Sequence, residues 1–204
     1  MMRNPWVVFC LLALLILPVG ASGMNLLSKG VKGGMIYSNM AGDDVSDASS
    51  KLGFGGGAWL NFSLLNQIEL QPELLYAMKG AKTEGEWGEA TTSIDYVEVP
   101  VLASYSLPLV SPWTPKLQFG PYLGYNTRAN MSMEGDRAEE EDVDLKDETA
   151  QLDYGVVLGV GVAVARVSLD ARYTMGLTSI SDPSEGDAMD VKNRSISLLF
   201  GISF

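Results

Sequence analysis

The sequence predicts an all-β chain: an eight-stranded antiparallel up-and-down transmembrane β-barrel preceded by an N-terminal signal peptide. Three observations lead there. Period-2 alternation of apolar and polar side chains recurs along the chain, no window after the leader has helical periodicity, and the connections alternate long and short from end to end.

The leader comes first. Met1 to Asn4 carries one arginine and is followed by an apolar stretch from Pro5 to Gly20, shorter than the roughly 20 residues a helix needs to cross a bilayer. Val19-Gly20-Ala21 supplies the small residues of a cleavage site. Residues 1–21 are therefore expected to be a cleaved signal peptide and residues 22–204 the barrel domain. Cys10, the only cysteine, lies in the leader without the small residues a lipoprotein signal places before it, so the mature chain is expected to have no thiol.

The strands follow in order. Glycine-rich residues 30–38 form the weakest candidate, and residues 52–63 the second. In 67–76, Ile68, Leu70, Leu74 and Tyr76 share one face while Gln67, Glu69, Gln71 and Glu73 share the other. Next, Val97, Val99, Val101, Ala103 and Tyr105 alternate with Glu98, Pro100, Leu102 and Ser104. Leu117, Phe119, Pro121, Leu123 and Tyr125 alternate with Lys116, Gln118, Gly120, Tyr122 and Gly124. Residues 152–164 set Tyr154, Val156, Leu158 and Val160 against Asp153, Gly155, Val157 and Gly159. Then Val167, Leu169, Ala171, Tyr173 and Met175 alternate with Ser168, Asp170, Arg172 and Thr174. Residues 194–204 end the series, with Ile196, Leu198, Phe200, Ile202 and Phe204 on one side. Small residues on the second face suit a narrow interior.

Residues 39–50, 80–91, 127–150 and 179–192 read as long connections, and 63–66, 107–115 and 164–166 as short turns. This order places the long loops on one membrane face, expected to be extracellular, and the short turns with both termini on the periplasmic face. Charge divides the same way. Of 25 acidic residues, 19 fall in the long connections. A soluble sandwich has no reason to sort its loops so, and would leave open sheet edges.

The absence of histidine removes the usual general base and the commonest metal ligand. A net charge of −11 lacks the basic face that nucleic-acid binding needs. No cofactor is expected, and the chain is not expected to be an enzyme. The run Gly53-Phe54-Gly55-Gly56-Gly57 is no nucleotide loop, since neither a helix nor the phosphate-binding lysine follows it.

The first strand Gly30-Val31-Lys32-Gly33-Gly34, the segments Tyr96-Val97-Glu98-Val99-Pro100 and Gly120-Pro121-Tyr122-Leu123-Gly124-Tyr125, and the terminal strand ending in Phe204 resemble the porin-family, PorT-like outer-membrane β-barrel domain. The resemblance covers nearly the whole mature chain. It implies outer-membrane localisation in a Gram-negative cell and a C-terminal aromatic, here Phe204, that the barrel-assembly machinery reads.

Four candidate sites follow. Glu73, Glu98, Asp170 and Arg172 point to the lumen at mid-height, with Lys32, Glu69 and Lys116 nearer the periplasmic end; in so narrow a barrel an interior salt-bridge network is expected, with an ion-conducting or proton-coupled path as the alternative. The loop holding Asp136, Glu139, Glu140, Glu141, Asp142 and Asp144 offers hard oxygen ligands for a weak cation site, although Asp142 to Lys146 departs from the EF-hand pattern; a solvated acidic loop is preferred. Lys192 and Arg194, at the outer end of the last strand, could meet lipopolysaccharide phosphates, or simply anchor the interface alongside Trp87, Trp113, Tyr105 and Tyr125. Phe204 is the fourth. Outer-membrane lipid, lipopolysaccharide and the assembly machinery are the expected partners, with a further extracellular ligand left open. The preferred role is structural or surface-interacting. A narrow channel or a small-ligand-binding barrel is the alternative, and a lipid-modifying enzyme is less favoured because no histidine is present.

Overall fold

The computed structural model of the chain describes residues 25–41, 48–85, 88–107, 112–134, 141–144, 151–179 and 192–204. The expected signal peptide, Cys10, and Asp136, Glu139 and Glu140 of the acidic loop lie outside them. The strands are β1 (Leu26–Ala41), β2 (Ala48–Leu65), β3 (Ile68–Gly85), β4 (Gly88–Ser106), β5 (Trp113–Glu134), the short β6 (Glu141–Asp144), β7 (Leu152–Val164), β8 (Val167–Ser179) and β9 (Lys192–Ser203). Every pairing is antiparallel. Pairing of β1 with β9 and of β4 with β5 closes eight strands into a barrel, while β6 folds back on the upper part of β5.

The stagger of this closure sets the height of every lumen residue. A lap along the cross-strand partners from Ala77 runs through Gly55, Gly34, Leu199, Asp170, Gly161, Lys116 and Ser106. Ser106 then donates its N–H to the carbonyl of Gln67, ten positions below the start. Closing with this shear requires tilted strands, so each step to a neighbouring strand changes height by about 3 Å.

Alternation decides which face is wet. Leu74, Phe54, Phe119, Leu158, Ile196, Leu198 and Phe200 point outward and remain 49–58% exposed. On a soluble protein this continuous apolar belt would be an aggregation surface; on a membrane barrel it is the lipid face. The alternate positions turn inward, and Leu102, Tyr122 and Val157 form a small apolar core.

Two features of the strands are set by local chemistry. The β7–β8 hairpin turns on Ala165 and Arg166, with Ala165 at φ 53°, a left-handed conformation that costs a residue bearing a Cβ. Inside the barrel, Gly34 lies so near β9 that a Cβ would stand 1.9 Å from the Leu198 carbonyl oxygen, so only glycine permits this inter-strand approach.

The strands run beyond the expected ends. Residues 80–91, expected as a long connection, are paired strand up to Gly85 and again from Gly88. Likewise β5 continues to Glu134, into the connection expected from 127. Beyond the membrane both faces of a strand meet water, so alternation no longer distinguishes strand from loop. The wall is therefore uneven: β2 to β5 have 18 to 22 residues, whereas β7 to β9 have 12 or 13.

Candidate functional site

The lumen carries three polar tiers, and β3 contributes one residue to each, in the order Glu69, Glu73, Lys79 from its short-turn end. In the lowest tier Lys116 Nζ and Asn61 Nδ2 both donate to Glu69 Oε2, at 2.9 and 2.7 Å.

In the middle tier, Glu73 accepts a bidentate pair from Arg172, at 2.7 Å from Nη1 and 2.8 Å from Nη2. Lys32 Nζ bridges Glu73 at 2.8 Å and Asp170 at 2.9 Å. Arg172 also reaches Asp170 at 3.2 Å and donates through Nε to Gln118 at 3.1 Å, while Gln71 donates to Glu73. Two cations and two carboxylates thus neutralise one another, with side chains at most 5% exposed. Mutual pairing with planar, bidentate geometry is what makes buried charges tolerable.

The upper tier differs from expectation. Glu98 does not join Glu73, Asp170 and Arg172; it pairs with Lys79. Stagger explains this, because Glu98 lies opposite Leu75 on β3 and sits about 8 Å above Glu73. The same stagger lifts Lys32, expected near the short-turn end, into the middle tier. Lys79 Nζ lies 5.5 Å from the Tyr96 ring centre and 5.1 Å from that of Tyr122, distances at which a ring face attracts a cation. Beside it, Asp153 accepts from Tyr122 at 2.9 Å, Thr178 at 2.8 Å and Asn193 at 3.0 Å. Reading the sequence missed Lys79, Tyr96, Asp153 and Asn193 as members of a tier.

Two cavities flank the middle tier. A vestibule of about 170 Å³ at the short-turn end is lined by Ser28, Lys32, Trp59, Lys116, Arg166 and Asp170, among others. A cavity of about 30 Å³, room for a water or two, touches Lys79, Glu98 and Arg172. Of the residues lining the vestibule, Trp59 and Asn61 keep one polar atom each, Nε1 and Oδ1, buried and without a hydrogen-bond partner among the described residues.

The remaining expected sites are scattered. Arg194 is exposed on the outer wall, opposite Asn39 and Met175, and Lys192 opens β9 opposite Ala41 and Ser179. Phe204 is exposed, with Lys29 Nζ 5.7 Å from its ring centre and its N–H bonded to the Lys29 carbonyl. Glu141, Asp142 and Asp144 lie in β6, paired with Met133, Ser132 and Asn130. Among the described residues no three histidine, cysteine or acidic side chains gather as a metal site.

The family model for the outer membrane protein beta-barrel domain matches residues 21–182. The chain belongs to this family. As a member of it, this outer-membrane barrel is also similar to solved structures, all at low identity. Neisserial surface protein A (NspA) matches with a TM-score of 0.51 and 17% identity, over 86% of this chain and 97% of that one. Ail, the attachment invasion locus protein of Yersinia pestis, gives a TM-score of 0.43 and 15% identity over 87% and 98%. OprG of Pseudomonas aeruginosa gives 0.45 and 10% over 87% and 95%. No curated protein matches the sequence.

Proposed function

We propose that this outer-membrane barrel is a plugged, non-conducting surface protein of the porin-like, PorT-like type, with a structural or surface-interaction role, its long connections extracellular and both termini periplasmic. One observation carries the reading: the Lys32, Glu73, Asp170 and Arg172 side chains neutralise each other across the lumen. A path for ions would leave charges facing water, whereas here each charged group has its partner within hydrogen-bond distance. Phe204 serves the assembly machinery in this reading, and the barrel carries no reaction of its own.

Two measurements test it. Planar-bilayer recording of the purified protein is expected to give no discrete current, and stepwise current would end the plug. Orientation is read with a membrane-impermeant maleimide on intact cells expressing Ser132→Cys or Asn66→Cys. The first should label and the second should not; the reverse pattern inverts the topology.

A second reading, uptake of a small polar solute, is favoured by the polar lining of the vestibule, whose residues Trp59 and Asn61 keep Nε1 and Oδ1 buried without partners among the described residues. Solutes of that size should then quench Trp59 fluorescence saturably, and a flat titration across candidate solutes rejects this reading.

A further inference from the structure

The lipid-facing wall carries a groove that the lumen does not use. Two rows of outward side chains run obliquely across the strands, each row linked by direct cross-strand pairing. The lower row is Ile68, Tyr105, Leu117, Val160 and Ala171, and the upper row is Ala103, Phe119, Leu158, Tyr173 and Ile196. Between them lies an open cavity of about 750 Å³. Its floor is formed at Gln118, Gly159 and Arg172, which pair with one another in the sheet while the Gln118 and Arg172 side chains meet inside the lumen. The floor therefore offers no unpaired polar group, and an apolar chain suits it.

The course of the groove decides what fits. It starts at Ile68, beside the β2–β3 turn, and ends at Ile196 on β9, five strand spacings or about 24 Å away. Each step climbs about 3 Å, so the groove rises roughly 15 Å, half of the ~30 Å hydrocarbon layer. That is the depth of one leaflet. The two rows stand two residues apart along each strand, about 6.6 Å. A single acyl chain can lie in so narrow and oblique a slot, whereas the convex wall of a second barrel cannot follow it.

At its lower end the groove opens into a hollow of different chemistry. This hollow, of about 630 Å³, is lined by Ser63, Asn66 and Gln67 at the β2–β3 turn and shares Ile68 and Tyr105 with the groove. The Tyr105 hydroxyl donates to Gln67 Oε1 at 2.9 Å, which leaves the Gln67 amide nitrogen as a donor. No charged residue lines the hollow, and a net charge of −11 disfavours an anion there. Amides can donate to a phosphate and accept from an ammonium at the same time.

We propose that this wall holds one zwitterionic glycerophospholipid, with an acyl chain in the groove and its headgroup at Asn66 and Gln67. Ala103 and Ala171, the smallest members of their rows, keep the slot open for the chain. Its placement in the periplasmic leaflet rests on the proposed orientation of the barrel; the site itself does not.

The test places the full-length protein in nanodiscs of equal parts phosphatidylethanolamine and phosphatidylglycerol with identical acyl chains. Native mass spectrometry under collisional activation identifies the lipid retained. The wild-type protein should keep one phosphatidylethanolamine. A103F/A171F, which fills one position in each row, should lose it, and N66A/Q67A should lower its retention roughly fivefold. V31F, which adds a ring to the lipid face outside the groove, should keep it. Heat-modifiable gel mobility verifies that each variant is folded; should A103F/A171F fail to fold, A103F alone is measured. Unchanged retention in the filled variant, equal loss in V31F, or a preference for phosphatidylglycerol overturns the site. A protein dimer that A103F/A171F dissolves, with no lipid retained, overturns it in favour of a second copy. The expected lipid retention together with inverted maleimide labelling keeps the site but overturns its leaflet, so the two readings fail separately.

Discussion

Replacing Arg172 by methionine tests the middle tier most directly. The wild-type cluster is neutral, with Lys32 and Arg172 facing Glu73 and Asp170. Arg172→Met removes the bidentate pair to Glu73, the contact to Asp170 and the bond to Gln118. One excess negative charge then remains between two carboxylates that share a single lysine. Leaving a buried charge uncompensated costs about 3–5 kcal/mol, a large share of the roughly 5–15 kcal/mol by which domains are stable. The double variant R172M/E73Q removes one charge of each sign and keeps the Lys32–Asp170 pair, which is 2.9 Å long. It should therefore be more stable than the sum of the two single losses predicts, by about 2 kcal/mol or more. Urea unfolding of vesicle-folded protein, followed by tryptophan fluorescence, measures all four states. A strictly additive double variant, or a single loss of R172M below about 1 kcal/mol, would refute the argument that mutual neutralisation holds the tier together.

Further expectations concern the backbone and the C-terminus. Gly34→Ala should destabilise the barrel by about 3 kcal/mol or block its assembly, because the obstacle is β9 backbone that cannot yield; Gly33→Ala, whose Cβ would have 3.5 Å of clearance, should be tolerated, and equal effects in urea titrations would undo the distinction. Ala165→Asn should raise the unfolding midpoint, by about 0.5–1 kcal/mol, since asparagine accepts the left-handed conformation that alanine resists; a lowered midpoint contradicts it. Deleting Phe204 should reduce the amount of barrel reaching the outer membrane of cells while leaving the stability of refolded protein nearly unchanged, as membrane fractionation and urea titration would show together.

The sequence reveals which way a side chain faces far better than how high it stands. Glu73, Asp170 and Arg172 alternate with lipid-facing neighbours, so parity alone turned them inward, as it did Glu98 and Lys32. Parity is local, because it depends only on the two-residue repeat of a strand. Height depends on strand stagger, which the whole circuit of pairings fixes and no single segment displays. Hence parity alone groups Glu98 with Arg172 although the barrel sets it against Lys79, and it leaves Lys32 below its true height. Lys79 shows a recoverable signal: Gln71, Glu73, Leu75, Ala77 and Lys79 share one parity, and extending the strand past Tyr76 would have turned that lysine inward.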